Sequence, residues 1–80
     1  MKLSIGRTAL KALARCGENE RARLVEAIGK LPDNGDIRKL KGQAMKNTYR
    51  LRVGRHRVIF VWEGDETKVV KIDKRGDVYK

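Results

Sequence analysis

Three segments in the second half of the chain carry apolar patterns that are typical of β-strands. Residues 49–53 alternate between apolar and basic side chains, 58–62 is an unbroken β-branched and aromatic run, and 69–72 is a third short apolar run. Gly54 and the polar stretch 64–67 provide the turns. Because the run 58–62 is apolar on both faces, it predicts a central strand that helices cover on one side.

The first half of the chain has helical spacing after a short, weakly alternating segment at 2–5, which predicts an edge strand. Thr8 is the predicted cap of a first helix, and Gly17 would end that helix in a left-handed turn. Asn19 would then cap a second helix that stops at Pro32. The predicted apolar stripes are Leu10, Leu13 and Ala14 in the first helix and Leu24, Ile28 and Leu31 in the second.

These elements predict an α+β fold in the order β-α-α-β-β-β, with an α-helical hairpin packed on a twisted antiparallel sheet. The 80 residues suffice for one domain and are too few for two, so we expect a single domain over 1–80. A polar loop at 32–35 would join the helical and sheet halves. Because no long apolar run and no signal peptide is recognisable, we expect a cytoplasmic protein with no membrane partner.

The charge of the chain indicates which class of partner it binds. The formal net charge is +10 and the isoelectric point is near 10.3, and such a field concentrates polyanions. Nucleic acid is therefore the favoured partner. Between residues 37 and 60 there is no acidic side chain, although a solvated basic face is the alternative interpretation. The basic residues of this block are Arg38, Lys39, Lys41, Lys46, Arg50, Arg52, Arg55 and Arg57.

A two-residue turn at 54–55 would fix the register of the first hairpin, since glycine suits the first central position of a type II′ turn. Arg52 then lies opposite Arg57, and Arg50 lies opposite Ile59. Like charges directly across a strand pair are unfavourable, so this register predicts that something anionic lies between them. Arginine suits phosphate because its planar fork donates two parallel hydrogen bonds. In the alternative interpretation, the arginine stems lie along apolar neighbours and the guanidinium groups are only solvated.

The other chemically reactive side chains are expected to have mainly structural roles. In the same register His56 points away from the arginines, so we expect it to pack rather than to act as an acid or base. Cys16 is expected to pack at a helix end. With one cysteine and one histidine, the chain can form neither an internal disulfide nor a Cys/His zinc constellation, and we predict no metal site. Trp62 is expected at a strand end or in the core.

The last acidic and aromatic residues lie near the predicted cationic face. Asp73 is expected to form a salt bridge with Arg75 or Lys71. Tyr79 could pack, stack on an RNA base or exchange a proton through its hydroxyl group.

Four sequence motifs resemble the RelE/ParE superfamily of type II toxins, and the resemblance spans the whole chain. Its specificity depends on the second half, whereas the helical half agrees only in pattern. The motifs are Leu40-Lys41-Gly42, Tyr49-Arg50-Leu51-Arg52-Val53-Gly54, His56-Arg57-Val58-Ile59-Phe60 and Asp73-Lys74-Arg75-Gly76-Asp77-Val78-Tyr79.

The resemblance implies a RelE-like fold and a cognate antitoxin protein as partner. It also implies ribosome-dependent cleavage of mRNA, without a metal or small-molecule cofactor. Relatives of the ParE type instead inhibit DNA gyrase, and a non-catalytic RNA-binding module is a further alternative. One departure is that arginines stand where the best-known branch has a lysine pair, and arginine is a poor general base.

The resemblance also assigns roles. Arg57, Arg75 and Tyr79 are the implied catalytic residues. Arg50 and Arg52 match the basic pair of the family and are predicted to bind RNA. We expect three further basic residues to bind RNA with them, namely Lys41, Arg55 and Lys74.

Overall fold

The computed structural model describes residues 2–31, 35–40 and 46–74, which form helices on one side of a sheet. The strands are ordered β1-β5-β4-β3-β2 in one five-stranded sheet, and β4 is central as predicted. The predicted fold class is confirmed. The elements are β1 (Lys2–Ile5), α1 (Arg7–Arg15), α2 (Glu18–Gly29), β2 (Asp36–Lys39), β3 (Thr48–Val53), β4 (His56–Glu63) and β5 (Glu66–Lys74).

The structure adds one strand to the predicted order and changes the character of the sheet. The unpredicted strand is β2, whose sequence contains one apolar residue, Ile37, and therefore gives almost no alternating signal. It is held at the sheet edge by antiparallel pairing with β3. At the other edge β1 runs parallel to β5, so the sheet is mixed rather than purely antiparallel.

Both predicted helix starts are wrong. Thr8 lies inside α1, and Gly6 occupies the N-cap position. The N–H group of Gly6 donates to the carbonyl of Val69 at 2.7 Å, so pairing with β5 sets where the helix begins. Gly17 has an extended conformation, with φ −65°, and it caps α2 in place of Asn19. It therefore makes no left-handed turn.

The buried side of α1 also differs from the predicted stripe. Ala9 and Leu13 are buried, whereas Ala14 is exposed and Leu10 is 52% exposed. The sequence pattern predicted that Leu10 would be buried, but the smaller Ala9 beside it is buried instead. The predicted stripe of Leu24, Ile28 and Leu31 is buried and is confirmed, although Leu31 lies just after α2. The helix ends at Gly29, short of the predicted stop at Pro32, which itself lies outside the described residues.

The core lies between the helices and one face of the sheet, which we call the inner face. The opposite, outer face has no described helix against it. Burial of apolar area between these layers is the main stabilising contribution. The buried apolar residues are Ala9, Leu13, Leu24, Ile28 and Leu31 from the helical half and Leu51, Val58, Phe60, Val69 and Ile72 from the strands.

The predicted register of the hairpin β3–β4 is confirmed at every pair. Gly54 has φ +58°, the left-handed value that the first central position of the turn requires. Val53 pairs with His56, and Arg52 pairs with Arg57. Side chains alternate between the two faces of a strand, so this register sends the arginines to the outer face and His56 to the inner face.

Arg21 ties the two helices together at their junction. Its Nε donates to the carbonyl of Leu13 at 3.0 Å, and its Nη2 donates to the carbonyls of Cys16 at 2.8 Å and Ala14 at 3.4 Å. These carbonyls belong to the last turn and cap of α1, where the helix leaves acceptors without internal partners and where positive charge is favourable. One side chain of α2 therefore fixes the end of α1.

We predict that Arg21→Ala lowers the free energy of unfolding by about 1 kcal/mol, because the carbonyls at the end of α1 lose their cationic donor. Urea denaturation measures the change. Arg23→Ala is the matched control, since Arg23 is exposed on the same helix. Equal effects of the two substitutions would contradict the capping role of Arg21.

Two buried threonines on the sheet differ in how their hydroxyl groups are satisfied. Thr67 is 1% exposed, and its Oγ1 has no hydrogen-bond partner among the described residues. Thr48 is 8% exposed, and its Oγ1 donates to the carbonyl of Lys46 at 3.1 Å. An unsatisfied buried hydroxyl group is destabilising, whereas a bonded one is not.

We predict opposite effects of the same substitution at these sites. Thr67→Val raises the free energy of unfolding by about 1 kcal/mol, and Thr48→Val lowers it by about 1 kcal/mol. Denaturant midpoints with unchanged slopes measure both. A loss of stability in Thr67→Val would show that its hydroxyl group has a partner in solution.

Candidate nucleic-acid interface

The outer face of the sheet brings together the arginines that the sequence singled out. Arg50 and Arg52 of β3 and Arg57 of β4 share this face, because Arg52 pairs directly with Arg57 and Arg50 pairs with Ile59. On the next strand outward, Arg38 of β2 pairs with Arg50. Three adjacent strands thus present guanidinium groups on one side, and we call these four residues the arginine cluster.

Asp73 holds Arg57 in place. Its Oδ2 accepts a hydrogen bond from Nη2 of Arg57 at 2.9 Å, and the two side chains are 13% and 17% exposed. Lys71 approaches the other carboxylate oxygen at 3.8 Å, as predicted. A charge-assisted hydrogen bond in a partly buried position restricts the guanidinium group to one orientation. Asp73 pairs with Arg57 from the β5 side, so it does not lie between Arg57 and Arg52, and the anionic ligand predicted there stays a prediction.

A bulge in the β4–β5 pairing brings Asp73 to this position. Pairing runs in one register from the turn up to Phe60, which lies opposite Val69. Beyond the bulge the register shifts by one residue, so that Ile59 pairs with Lys71 and Arg57 pairs with Asp73. Such an extra residue commonly redirects a side chain next to a functional site. Here it places a carboxylate beside the central arginine.

The rest of the outer face is suited to an extended polyanion. Arg52 is exposed and Arg50 is half-buried, so both guanidinium groups lie near solvent. Ile59 and Val61 are half-buried although no described helix covers them, which fits shielding by the aliphatic stems of neighbouring long side chains. Guanidinium forks over a partly apolar floor can bind phosphate while sugars and bases contact the floor.

The structure describes only some of the remaining predicted site residues. Arg55 is exposed in the turn that joins β3 to β4. Lys74 ends β5 at the register position opposite His56. Three predicted site residues lie outside the described residues, namely Lys41, Arg75 and Tyr79. Arg75 is also one of the two predicted salt-bridge partners of Asp73.

His56 is on the inner face, away from the arginine cluster, as the register predicted. It is 9% exposed, and its Nε2 lies 3.9 Å from the sulfur of Cys16. Its imidazole therefore cannot reach a ligand on the outer face. Among the described residues near Arg57, the carboxylate of Asp73 is already engaged by two cations, so it is a weak candidate for a general base.

Trp62 packs at the end of its strand, in agreement with its structural interpretation. Its Nε1 donates to the carbonyl of Gly64 at 3.2 Å, and its ring centroid lies 5.5 Å from that of Tyr49. Tyr49 in turn stacks on Phe60 at 5.6 Å. These aromatic residues belong to the inner face and its margin, so they provide no stacking surface beside the arginine cluster.

Sequence reasoning did not identify Arg38 as a neighbour of Arg50 or Asp73 as the partner of Arg57. Arg38 required recognition of β2, whose pattern is weak. Asp73 required knowledge of the bulge in β5. The available signal was the chemistry of Asp73 itself, an acidic residue near the end of β5.

Comparison with protein families identifies the chain. A family model described as the ParE toxin of the type II toxin-antitoxin system parDE matches residues 3–79. The chain belongs to this family of toxins. The resemblance seen in the sequence is therefore confirmed at the level of the RelE/ParE superfamily. A comparison with curated proteins finds no match to the toxin.

Solved structures similar to the toxin include members of both branches. The archaeal RelE–RelB complex from Pyrococcus horikoshii is 26% identical, with a TM-score of 0.73 over 96% of this chain and 97% of that one. The RelB–RelE complex from Methanococcus jannaschii is 27% identical, with a TM-score of 0.74 over 94% and 93%. The ParDE system from P. aeruginosa shares the fold at 18% identity, with a TM-score of 0.67 over 92% and 95%.

The chain is thus the toxin component of a type II toxin-antitoxin system. Neither described helix of the toxin is long and apolar enough to cross a membrane.

We predict that Asp73→Asn lowers the free energy of unfolding by about 1–3 kcal/mol, because the partly buried charge of Arg57 loses its counter-charge. The same change adds positive charge to the outer face, so binding to single-stranded RNA should strengthen and become more salt-dependent. Urea denaturation and salt titration of RNA binding measure the two effects. The control is Asp65→Asn in the exposed turn between β4 and β5, which should change neither quantity appreciably. Unchanged stability in Asp73→Asn would contradict the orienting role of Asp73.

Proposed function

We propose that the toxin is a metal-independent endoribonuclease that cleaves mRNA on the ribosome and so inhibits translation. The observation that carries this proposal is the arginine cluster, with Arg57 fixed by Asp73 and flanked by Arg50 and Arg52 on an open face of the sheet. The spacing of adjacent strands, about 4.8 Å, allows several guanidinium groups to contact one phosphate and its neighbours. Arginine keeps its charge throughout such a reaction.

In the proposed reaction, the 2′-hydroxyl group of a ribose releases its proton to water as its oxygen attacks the adjacent phosphorus atom. The new P–O bond forms a cyclic phosphate, the bond to the 5′ oxygen breaks, and the leaving oxygen takes up a proton to give a free 5′-hydroxyl group. Arg57 donates hydrogen bonds to the phosphate oxygens on which negative charge builds, and Arg75 has the same role. The RNA backbone is held by five further basic residues, which are Arg50, Arg52, Lys41, Arg55 and Lys74.

We expect this face to accelerate cleavage mainly by orienting the RNA. The described carboxylate beside Arg57, that of Asp73, is engaged by two cations, and Asp36 lies further away, opposite Arg52. Tyr79 is proposed to stack on a base or to move a proton. Positioning of the 2′-hydroxyl group for in-line attack can supply a large part of the rate enhancement. We therefore propose that the ribosome arranges the mRNA and that free RNA is cut poorly.

We further propose that a cognate antitoxin protein binds the toxin. Three similar structures are complexes of RelE with RelB or belong to a ParDE system, which supports a partner of this kind. The net charge of +10 favours an acidic partner segment, since opposite charge speeds association and adds specificity. An extended or helical segment laid over the sheet or helices would suit this fold.

We predict that Arg57→Ala reduces ribosome-dependent mRNA cleavage by about 10²–10³-fold, the usual effect of removing one donor to a developing anion. Toeprinting of ribosome-bound mRNA measures the cleavage. Arg23→Ala is the matched control, because it removes one arginine from an exposed helical position away from the outer face. Since removing Arg57 takes away the closer of the two cations beside Asp73, Arg57→Lys serves as a second variant that keeps the charge but loses the planar fork. Full cleavage by both Arg57 variants, with folding intact, would refute the proposal.

A second candidate is inhibition of DNA gyrase without cleavage of RNA. It is favoured by the ParE description of the matching family and by the scarcity of a free base near Arg57. A DNA supercoiling assay with purified gyrase discriminates the two. Inhibition of supercoiling by a toxin that leaves no toeprint on mRNA would establish this second function in place of the first.

A further inference from the structure

The single cysteine and the single histidine of the chain meet at one end of the helical hairpin, together with a glutamate. The sulfur of Cys16, a carboxylate oxygen of Glu20 and a ring nitrogen of His56 all lie within 4.8 Å of one another. Cys16 follows α1, Glu20 is in the first turn of α2, and His56 begins β4. The cluster lies on the inner side of the sheet, away from the arginine cluster.

The separations are close to those around a tetrahedral zinc ion. The sulfur of Cys16 lies 3.9 Å from Nε2 of His56. Zinc binds thiolate sulfur at about 2.3 Å and imidazole nitrogen at about 2.0–2.1 Å, so tetrahedral geometry separates the two ligand atoms by about 3.6 Å. A small side-chain adjustment therefore suffices, and the thiol of Cys16 would give up its contact with the carbonyl of Ala12 at 3.3 Å.

Hydrogen-bonded backbone holds two of the three candidate ligands, Cys16 and His56. Arg21 donates to the backbone carbonyl of Cys16, and the N–H group of Cys16 donates to the carbonyl of Leu13. His56 is buried and paired with both neighbouring strands. Metal sites built on fixed elements lose little entropy when the ion binds.

The site is reachable from solvent. Cys16, Glu20 and His56 line an open pocket of about 330 Å³. Glu20 is exposed, whereas His56 is buried, so an ion would enter past the carboxylate and meet the imidazole at the floor. A water molecule could fill the fourth position, as it does in three-ligand zinc sites.

We propose that Cys16, Glu20 and His56 form a binding site for a zinc ion. The donor set of thiolate, imidazole and carboxylate is one that zinc accepts, and two anionic ligands balance the charge of the ion within a strongly cationic protein. Bound zinc would join the junction of the helices to the start of β4. It would stabilise the fold by mass action and would not depend on whether the outer face cleaves RNA.

Titration of the full-length toxin with Co²⁺ as a spectroscopic probe tests this site. The expected result is one Co²⁺ ion per chain, with tetrahedral visible bands and a thiolate-to-metal charge-transfer band, and with displacement by Zn²⁺. Cys16→Ser should abolish the charge-transfer band, and Glu20→Gln should weaken binding by at least about tenfold. Glu18→Gln is the matched control in the same helical turn and should bind as the unaltered chain does.

Thermal unfolding gives a second readout that does not require activity. Zinc should raise the unfolding temperature of the unaltered chain and of Glu18→Gln but not that of Cys16→Ser. Absence of a charge-transfer band, or cobalt binding that survives both Cys16→Ser and Glu20→Gln, would overturn the proposal. Because Glu20 is exposed, Glu20→Gln keeps the test decisive even if Cys16→Ser impairs folding.

Discussion

The register of β4 against its two neighbours is the constraint on which the rest of the structure depends. A slip by one residue would exchange the two faces of the strand, since successive side chains point in opposite directions. In the observed register Val58 and Phe60 enter the core while Arg57 is directed away from it. The free energy of burying the apolar residues thereby also orders the arginine cluster. Core packing and surface chemistry are consequences of the same hydrogen-bonded pairing.

The pairing of β4 with β3 could be predicted from the sequence, whereas the pairing of β4 with β5 could not. Gly54 marks a two-residue turn, and once the turn is placed every pair between β3 and β4 follows by counting. Counting in the same way from the turn before Glu66 would put Ile72 opposite Arg57. The bulge shifts the pairing so that Asp73 takes that place. Consecutive valines, Val69 and Val70, suit either arrangement, so local propensity carries no signal for the bulge.

The ends of the helices and the Cys16 cluster were hard to predict for a related reason. Gly6 caps α1 because its N–H group bonds to β5, a partner distant in sequence. Cys16 and His56 approach each other across 40 positions of the chain. The counts of cysteine and histidine argued against a metal site, but they do not reveal that a carboxylate shares the same corner. Tertiary contacts decide such features, and periodicity reports only on neighbours along one element.

The parallel pairing of β1 with β5 has a consequence for how the toxin is made. Lys2 pairs with Glu66 and Ile5 with Val69, so β1 has no partner strand until β5 has been synthesised. Contacts between such distant segments carry a large loop-closure entropy and form late in folding. Because β5 follows both helices and the other strands in chain order, the five-stranded sheet can be completed only after β5 has been synthesised. The toxin therefore reaches its finished fold only after β5 has left the ribosome, the machinery that we propose it attacks.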